Sequence, residues 1–482
     1  KARFSIYNQL AINLQGLGQT EQAMELLQSA IEKFPSHANA HVALGNVLKD
    51  LGDVPGSIES YRRALKLDPQ SKLAHSNLVY TMLFDPRYDM PAIAQELSRW
   101  NQLHAEPLKS EIKPHDNDRA SGRRLRIGYV SPDFRNHVIG RNVLPLFKHH
   151  NHSQFEIFCY SITKRPDSIT DEFRQLADQW RDIGDLTDEQ IVAQIRADQI
   201  DILVDLALHL NDGRLAVFAR KPAPVQVTFA GYPGSTGLTA IDCRPTDPFL
   251  EPQGMFDQYS SEKPIRALQS FWCFDPFDSD VPVSPLPAID NGFITFACFN
   301  NFAKVNEQMT GLWSRVLQSV ANSRMVILSD KGRHRERIER QLGIDPKRIE
   351  FVTQTSRLNY LKHHQRVDIC LDTLPYNGHS TSLDALWMGV PVVIIVGQTP
   401  VGRAGLSIMT NIVLPELVAY TVDDFVKIAV DLANDTSRLK MLRSTLRQKL
   451  ESSVLMDAGK FAWDMESFYR AQWREWINQP KV

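Results

Sequence analysis

VDICLDTLPYNGHSTSLD, residues 367–384, reads as a buried strand that ends in a polar loop and runs on into a helix. The run 367–371 is short and apolar apart from Asp368, as expected of a strand covered on both faces of a parallel sheet. Residues 382–388 continue as helix. Strand, loop and helix in this order form the repeating unit of a doubly wound α/β fold, where ligands bind at the carboxyl ends of strands. Gly378, Ser380 and Thr381 place free amides and two hydroxyls at a helix N-terminus, which suits a diphosphate. An ordinary Ser/Thr cap is the competing reading. Against it stands the crowding of Asn377, His379 and Asp384 around the same turn, more polar groups than a cap requires.

The same texture extends on both sides. Short apolar runs fall at 125–130, 155–161, 202–206, 225–229, 294–299, 325–328, 349–353 and 390–396, most with helix-like sequence between them. Two doubly wound units are predicted. They are separated by the proline-rich stretch 275–287, which can be neither helix nor central strand. Asp278-Ser-Asp280 in that stretch has the form of a metal-binding DxD, but it lies in a linker rather than at a strand end, and no metal is predicted. Lys304 follows the run 294–299, where it can neutralise phosphate as a point charge, with Asn301 beside it; a solvated lysine is the alternative. The loops 132–137 and 231–237 belong to the first unit and are expected to face the phosphate site across a cleft. The segment 397–403 resembles a P-loop only superficially, lacking its Lys-Ser/Thr pair. His149, His150 and His152 precede a strand and read as a solvated loop rather than metal ligands.

Upstream the period changes. Leu10, Leu14, Leu17, Gly18, Ala30 and Pro35 recur as Leu44, Leu48, Leu51, Gly52, Ala64 and Pro69, each displaced by 34 residues, the tetratricopeptide period. Leucines at helical spacing are expected to face the partner helix, Gly18 and Gly52 to end helices in a left-handed backbone, and the alanines to let helices approach. A third, degraded copy starts at Ala74 and dissolves near Asp85. Such arrays hold extended peptides in a groove, so a protein substrate is indicated. The chain opens on Lys1 in mid-pattern, as a trimmed sequence would.

Composition excludes several classes. With 54 basic and 56 acidic side chains, bulk attraction to nucleic acid or anionic membrane is not indicated. No apolar run is long enough to span a membrane, and the first residues lack a signal core. The five cysteines are scattered and never form a CxxC pair, so they read as reduced core thiols of a cytoplasmic protein.

Taken together, SPDFRNH (131–137), RKPAPVQ (220–226), GYPG (231–234), FNNFAK (299–304), LDT (371–373) and NGHST (377–381) with Asp384 resemble, in order, the O-linked N-acetylglucosamine transferases, their bacterial members and the related plant SPINDLY proteins. The resemblance covers nearly the whole chain. It implies a GT-B type pair of Rossmann-like lobes preceded by an all-α repeat array. Residues 1–118 are then repeats and linker, 119–285 an N-terminal lobe, 286–457 a C-terminal nucleotide-binding lobe, and 458–482 a packing helix. It also implies transfer of N-acetylglucosamine from UDP-GlcNAc to Ser/Thr hydroxyls of proteins, without metal or other cofactor. Carried onto this sequence, His137 lies on the sugar and acceptor side as a proton acceptor, and Lys304 stabilises the departing diphosphate. Donor contacts would come from Asn301, Lys304, His379, Ser380, Thr381 and Asp384, and from Tyr232, Pro233 and Gly234 near the sugar.

Departures are present too. Asn301 replaces a glutamine of animal relatives, and Tyr360 and His363 stand where those have His and Arg near the base. The residues themselves leave His137 open between a general base and a structural histidine. A GDP-fucose-dependent O-fucosyltransferase, as in the SPINDLY branch, and an inactive repeat scaffold remain as alternatives.

Overall fold

The computed structural model describes residues 2–277 and 280–480; Asp278 of the DxD run lies outside the described residues. Two compact units are present: Lys1–Asp89 with Pro276–Ser452, and Met90–Asp275 with Ser453–Val482.

In the first unit the helical hairpins come first. They are α1 (Ala2–Gly16) with α2 (Thr20–Lys33), α3 (Ala38–Asp50) with α4 (Val54–Leu67), then α5 (Lys72–Met82). Gly18 and Gly52 take φ of +70° and +73°, the left-handed conformation that lets each helix stop and the chain reverse. Ala30 and Ala64 are fully buried, the close approach their small side chains permit. Asp53 caps α4 by accepting from Gly56 N at 3.0 Å. The leucine expectation needs correcting at two positions, since Leu10 and Leu17 are 46% and 74% exposed. The seam is instead built on Ala11, Ala23, Leu27, Val47 and Leu51, with Leu14 and Leu44 packed against it. α1 packs on α2 and α3 through Ala11 and Leu14, and Leu10 and Leu17 lie off that seam.

The array is joined to the lobe that follows it in this unit. Arg333 pairs with Glu21 and, at 3.0 Å, with Glu25, and Arg337 Nη2 donates to Leu51 O at 3.1 Å. That lobe is a parallel sheet of β8 (Thr295–Cys298), β9 (Arg324–Leu328), β10 (Ile349–Val352), β11 (Ile369–Leu371), β12 (Val392–Ile395) and β13 (Val418–Ala419), ordered β10-β9-β8-β11-β12-β13.

The second unit holds β1 (Leu125–Ser131), β2 (Phe155–Ser161), β3 (Gln179–Asp182), β4 (Ile202–Asp205), β5 (Val225–Thr228), β6 (Cys243–Pro245) and β7 (Lys263–Ile265), ordered β3-β2-β1-β4-β5-β6-β7 and parallel. Before it comes α6 (Met90–His104), and α7 (Val138–His149) follows β1. The helix Ala458–Ile477 buries Phe461, Met465, Phe468, Tyr469 and Trp473 in this unit. It also corrects the reading of the histidines: His150 is buried, not solvated, with Nε2 2.9 Å from Tyr129 Oη and Nδ1 3.0 Å from Glu466 on that helix. All five cysteines are buried and unpaired. Among the described residues no helix is long and apolar enough to cross a membrane.

Each sheet reverses its winding once, between β1 and β4 in one and between β8 and β11 in the other. At such a switch point neighbouring strands send their connections opposite ways and leave a crevice at their carboxyl ends.

Candidate active site

The crevice at β8 and β11 collects the predicted phosphate residues. Lys304 ends the short turn Phe302–Lys304 just past β8 and is buried. Its Nζ donates to Asn377 O at 2.7 Å and lies 4.0 Å over the ring of Tyr376. Burial lowers its pKa to about 8, with the Asp372 carboxylate pulling the other way. Asp372, at the end of β11, is raised to about 6 by burial, opposed by hydrogen bonds from Gly378 N, Thr373 N and Asn300 and by the Lys304 charge. The site therefore carries a desolvated cation, and an incoming anion would restore what burial takes from it.

The helix after β11 begins at Ser380 rather than 382, so Ser380 and Thr381 form its first turn. Ser382 N and Leu383 N both bond to His379 O, at 3.1 Å each. The amides of Ser380 and Thr381 belong to the first turn, where no carbonyl four residues back lies within the helix. Thr381 Oγ1 donates to Asn300 Oδ1, and Asn300 Nδ2 donates to Asp372 at 2.9 Å and Thr373 at 2.8 Å. A Cβ on Gly378 would sit 2.3 Å from Ser382 Oγ and 2.8 Å from Asn300 Oδ1, so those side chains would have to turn aside to admit it.

The other residues expected to meet the donor are engaged within the chain. Asn377 is fully buried and staples the loop to the sheet, donating to Ile395 O of β12 at 3.2 Å and to Thr373 O at 2.8 Å and accepting from Gly405 N at 3.2 Å. Asn301 caps the Lys304 turn by accepting from Ala303 N at 2.9 Å. His379 Nε2 lies 3.2 Å from Val401 O, and burial, then the Lys304 charge, hold its pKa well below the usual value, so the ring is neutral. Asp384 is clamped by Arg357, whose Nη1 and Nη2 each stand 2.5 Å from one carboxylate oxygen. Tyr360 and His363 sit about the end of β8, with ring centroids 6.1 and 6.2 Å from that of Phe299.

In the second unit His137 is the residue before α7. Its Nδ1 accepts from Ile139 N at 3.4 Å and lies 3.3 Å from Asp133 Oδ2. Burial lowers its pKa, with Asp133 opposing and Arg135 and Arg141 assisting. Tyr232 and Pro233 are buried and Gly234 half-buried. A Cβ on Gly231 would meet Ala207 O at 2.9 Å, which ties the 231–237 loop to the end of β4. Buried Glu262 pins that loop, accepting from Ser235 Oγ at 2.5 Å, from Thr236 N at 2.7 Å and from Thr236 Oγ1.

Sequence reasoning assigned no role to Asp372, Asn300, Tyr376, Arg357 or Glu262. Asp372 and Tyr376 lie inside the quoted loop and Asn300 beside Asn301, so proximity was a usable signal. Arg357 and Glu262 come from distant segments and carried none. Among the described residues no three His, Cys, Asp or Glu side chains converge as a metal site.

A repeat array followed in the chain by two Rossmann-like lobes, the second with a cationic crevice at its switch point, is the layout of a GT-B type fold. The model of Glycosyl transferase family 41 matches residues 69–275 and 286–465, and the chain belongs to that family. A tetratricopeptide model matches residues 8–72. A SPINDLY protein of Solanum lycopersicum, named a probable UDP-N-acetylglucosamine–peptide N-acetylglucosaminyltransferase, is 34% identical over 425 residues, 86% of this chain and 45% of its own. The same-named protein of Arabidopsis thaliana is 33% identical over 423 residues, 85% of this chain and 46% of its own. The chain thus spans a little under half the length of these curated relatives. An O-GlcNAc transferase of Thermobaculum terrenum, solved as a point mutant, is 35% identical with a TM-score of 0.92, covering 98% of this chain and 91% of that one.

Proposed function

We propose that the chain transfers N-acetylglucosamine from UDP-GlcNAc to Ser/Thr hydroxyls of proteins held by the repeat array, without a metal. The carrying observation is the buried Lys304 ammonium bonded to Asn377 O, in the loop that leads into the helix whose first turn holds the amides of Ser380 and Thr381, at the β8–β11 switch point. The acceptor hydroxyl attacks the anomeric carbon, and the bond to the diphosphate breaks with its electron pair left on the phosphate oxygen. Lys304 and the amides meet that growing charge with donors already in place. His379 contributes as the backbone position that starts the helix, its neutral ring being turned to Val401 O. Asp384, oriented by Arg357, accepts from the ribose; a carboxylate has acceptor capacity left after a bidentate pair. Asn301 and the 232–234 segment complete the donor contacts.

His137 takes the proton of the attacking hydroxyl. For that role the ring must give up the 3.4 Å bond that Nδ1 accepts from Ile139 N and carry its proton on Nδ1 toward Asp133, 3.3 Å away, leaving Nε2 as the acceptor. The names of the relatives support UDP-GlcNAc and peptide acceptors. The buried, unpaired thiols support a cytoplasmic setting.

The test compares UDP and GDP by calorimetry, then weighs a protein acceptor after incubation with UDP-GlcNAc or GDP-fucose, with and without EDTA. UDP binding at least about tenfold tighter, roughly 1.4 kcal/mol, and addition of N-acetylhexosamine in EDTA are expected. GDP preference with deoxyhexose addition would refute the donor assignment. Loss of activity in EDTA restored by magnesium or manganese would refute the metal-free mechanism, and binding of neither nucleotide would leave an inactive scaffold.

A further inference from the structure

The lysine of the donor site rests on the repeat array as well as on the transferase lobe. After α5 the chain passes through Phe84, which is buried and stacked on the ring of Tyr376 with centroids 4.8 Å apart and planes inclined by 16°. Tyr80, on the last turn of α5, packs edge-on against Phe84 at 5.1 Å and is hydrogen-bonded side chain to side chain with Tyr376. Tyr376 in turn surrounds the ammonium: Lys304 Nζ lies 4.0 Å from its ring centroid and 2.7 Å from the carbonyl of the next residue, Asn377. The His379 ring lies 4.9 Å from the same centroid. The aromatic contact of the ammonium therefore depends on where one tyrosine sits, and two array residues fix that tyrosine by its ring and its hydroxyl.

We propose that Phe84 and Tyr80 are positioning residues for the Lys304 ammonium, acting through the Tyr376 ring, so that the repeat array sets donor binding as well as holding the acceptor. The proposal rests on the reading of Lys304 as the diphosphate contact. A cation over an aromatic face is held most strongly where water is excluded, and only at the right height and tilt of the ring. Stacking from Phe84 restricts the tilt of Tyr376, and the Tyr80 bond restricts its rotation.

The full chain is tested without any acceptor, so that lost acceptor capture cannot contribute. UDP affinity is measured by calorimetry, and the slow hydrolysis of UDP-GlcNAc by release of UDP. Phe84→Leu and Tyr80→Phe are expected to weaken UDP by about two- to tenfold, the range of one aromatic-pair contribution and of one hydrogen bond respectively, and to slow hydrolysis. In a Lys304→Ala background the effect of either should shrink to within a factor of about two, because the group they act through is gone. Tyr80→Phe removes a single hydroxyl and keeps the packing, so it decides the question if Phe84→Leu loosens the array. Unchanged UDP affinity and hydrolysis in both variants would overturn the positioning role. So would equal losses with and without Lys304. Lys304→Ala alone separates the underlying reading: if it leaves UDP affinity intact, the diphosphate assignment fails and the proposal falls with it. If it weakens UDP while the array variants do not, only the positioning role falls.

Discussion

Arg357 holds both carboxylate oxygens of Asp384, with Nη1 and Nη2 each 2.5 Å from its oxygen and the two side chains 13% and 5% exposed. Arg357 also donates to Pro276 O at 3.2 Å, so it ties the chain entering the lobe to the helix that follows β11. Removing one member of such a buried pair strands the other charge. Arg357→Ala is expected to lower stability by about 3–5 kcal/mol, measured by urea unfolding. A loss below about 1 kcal/mol would mean that water readily replaces the guanidinium.

The pH profile of donor binding should carry the signature of Lys304. Its folded pKa of about 8 means the ammonium is charged below that pH and lost above it. UDP affinity is expected to be level near neutrality and to fall as pH rises through about 8, with kcat/KM following because it reports the free enzyme. Lys304→Arg should abolish this limb, since a guanidinium stays charged. A wild-type profile matching that of Lys304→Arg would remove Lys304 from the donor site.

Gly378→Ala tests the crowding around the helix start. The added methyl would lie 2.3 Å from Ser382 Oγ, 2.8 Å from Asn300 Oδ1 and 2.9 Å from Thr381 Oγ1. Relief must move groups proposed to meet the phosphates. UDP affinity should drop by about tenfold or more, in line with roughly 1–3 kcal/mol of overpacking. Gly459→Ala, whose nearest neighbour is 3.8 Å away at Asp457, is the control and should leave UDP binding unchanged. Equal affinities in the two variants would show that the turn at Gly378 is slack.

Gly18 and Gly52 make a matched pair. Both have a left-handed backbone, at φ +70° and +73°, but only at Gly52 does a Cβ meet a neighbour, Phe302 Cε1 at 2.9 Å. Gly18→Ala should cost about 1–2 kcal/mol of stability from backbone strain alone. Gly52→Ala should cost more and also weaken UDP, because Phe302 begins the turn that ends at Lys304. Indistinguishable denaturation curves and UDP affinities for the two would show that the Phe302 contact is inconsequential.

The sequence by itself determined the features that depend on neighbouring residues. The 34-residue period marked the hairpins, and Gly18 and Gly52 marked where they turn. Largely apolar runs marked β1, β2, β4, β5 and β8 to β12, because strands inside a parallel sheet are covered on both faces; β10, at the edge, carries the exposed Glu350. The strands β3, β6, β7 and β13 were not legible: QWRD, CRP, KPI and VA are too short or too polar to show a pattern, and they are strands only because a paired neighbour supplies their hydrogen bonds. Likewise the loop after β11 was readable as an anion site, whereas its partners were not. Strand order is a matter of pairing between distant segments, and it is the adjacency of β8 and β11 that brings Lys304 to Asp372 and Tyr376. The clamp of Arg357 on Asp384 and the stacking of Phe84 on Tyr376 belong to the same class. Each joins side chains remote in sequence whose meeting is decided by packing, and packing leaves no period in the chain.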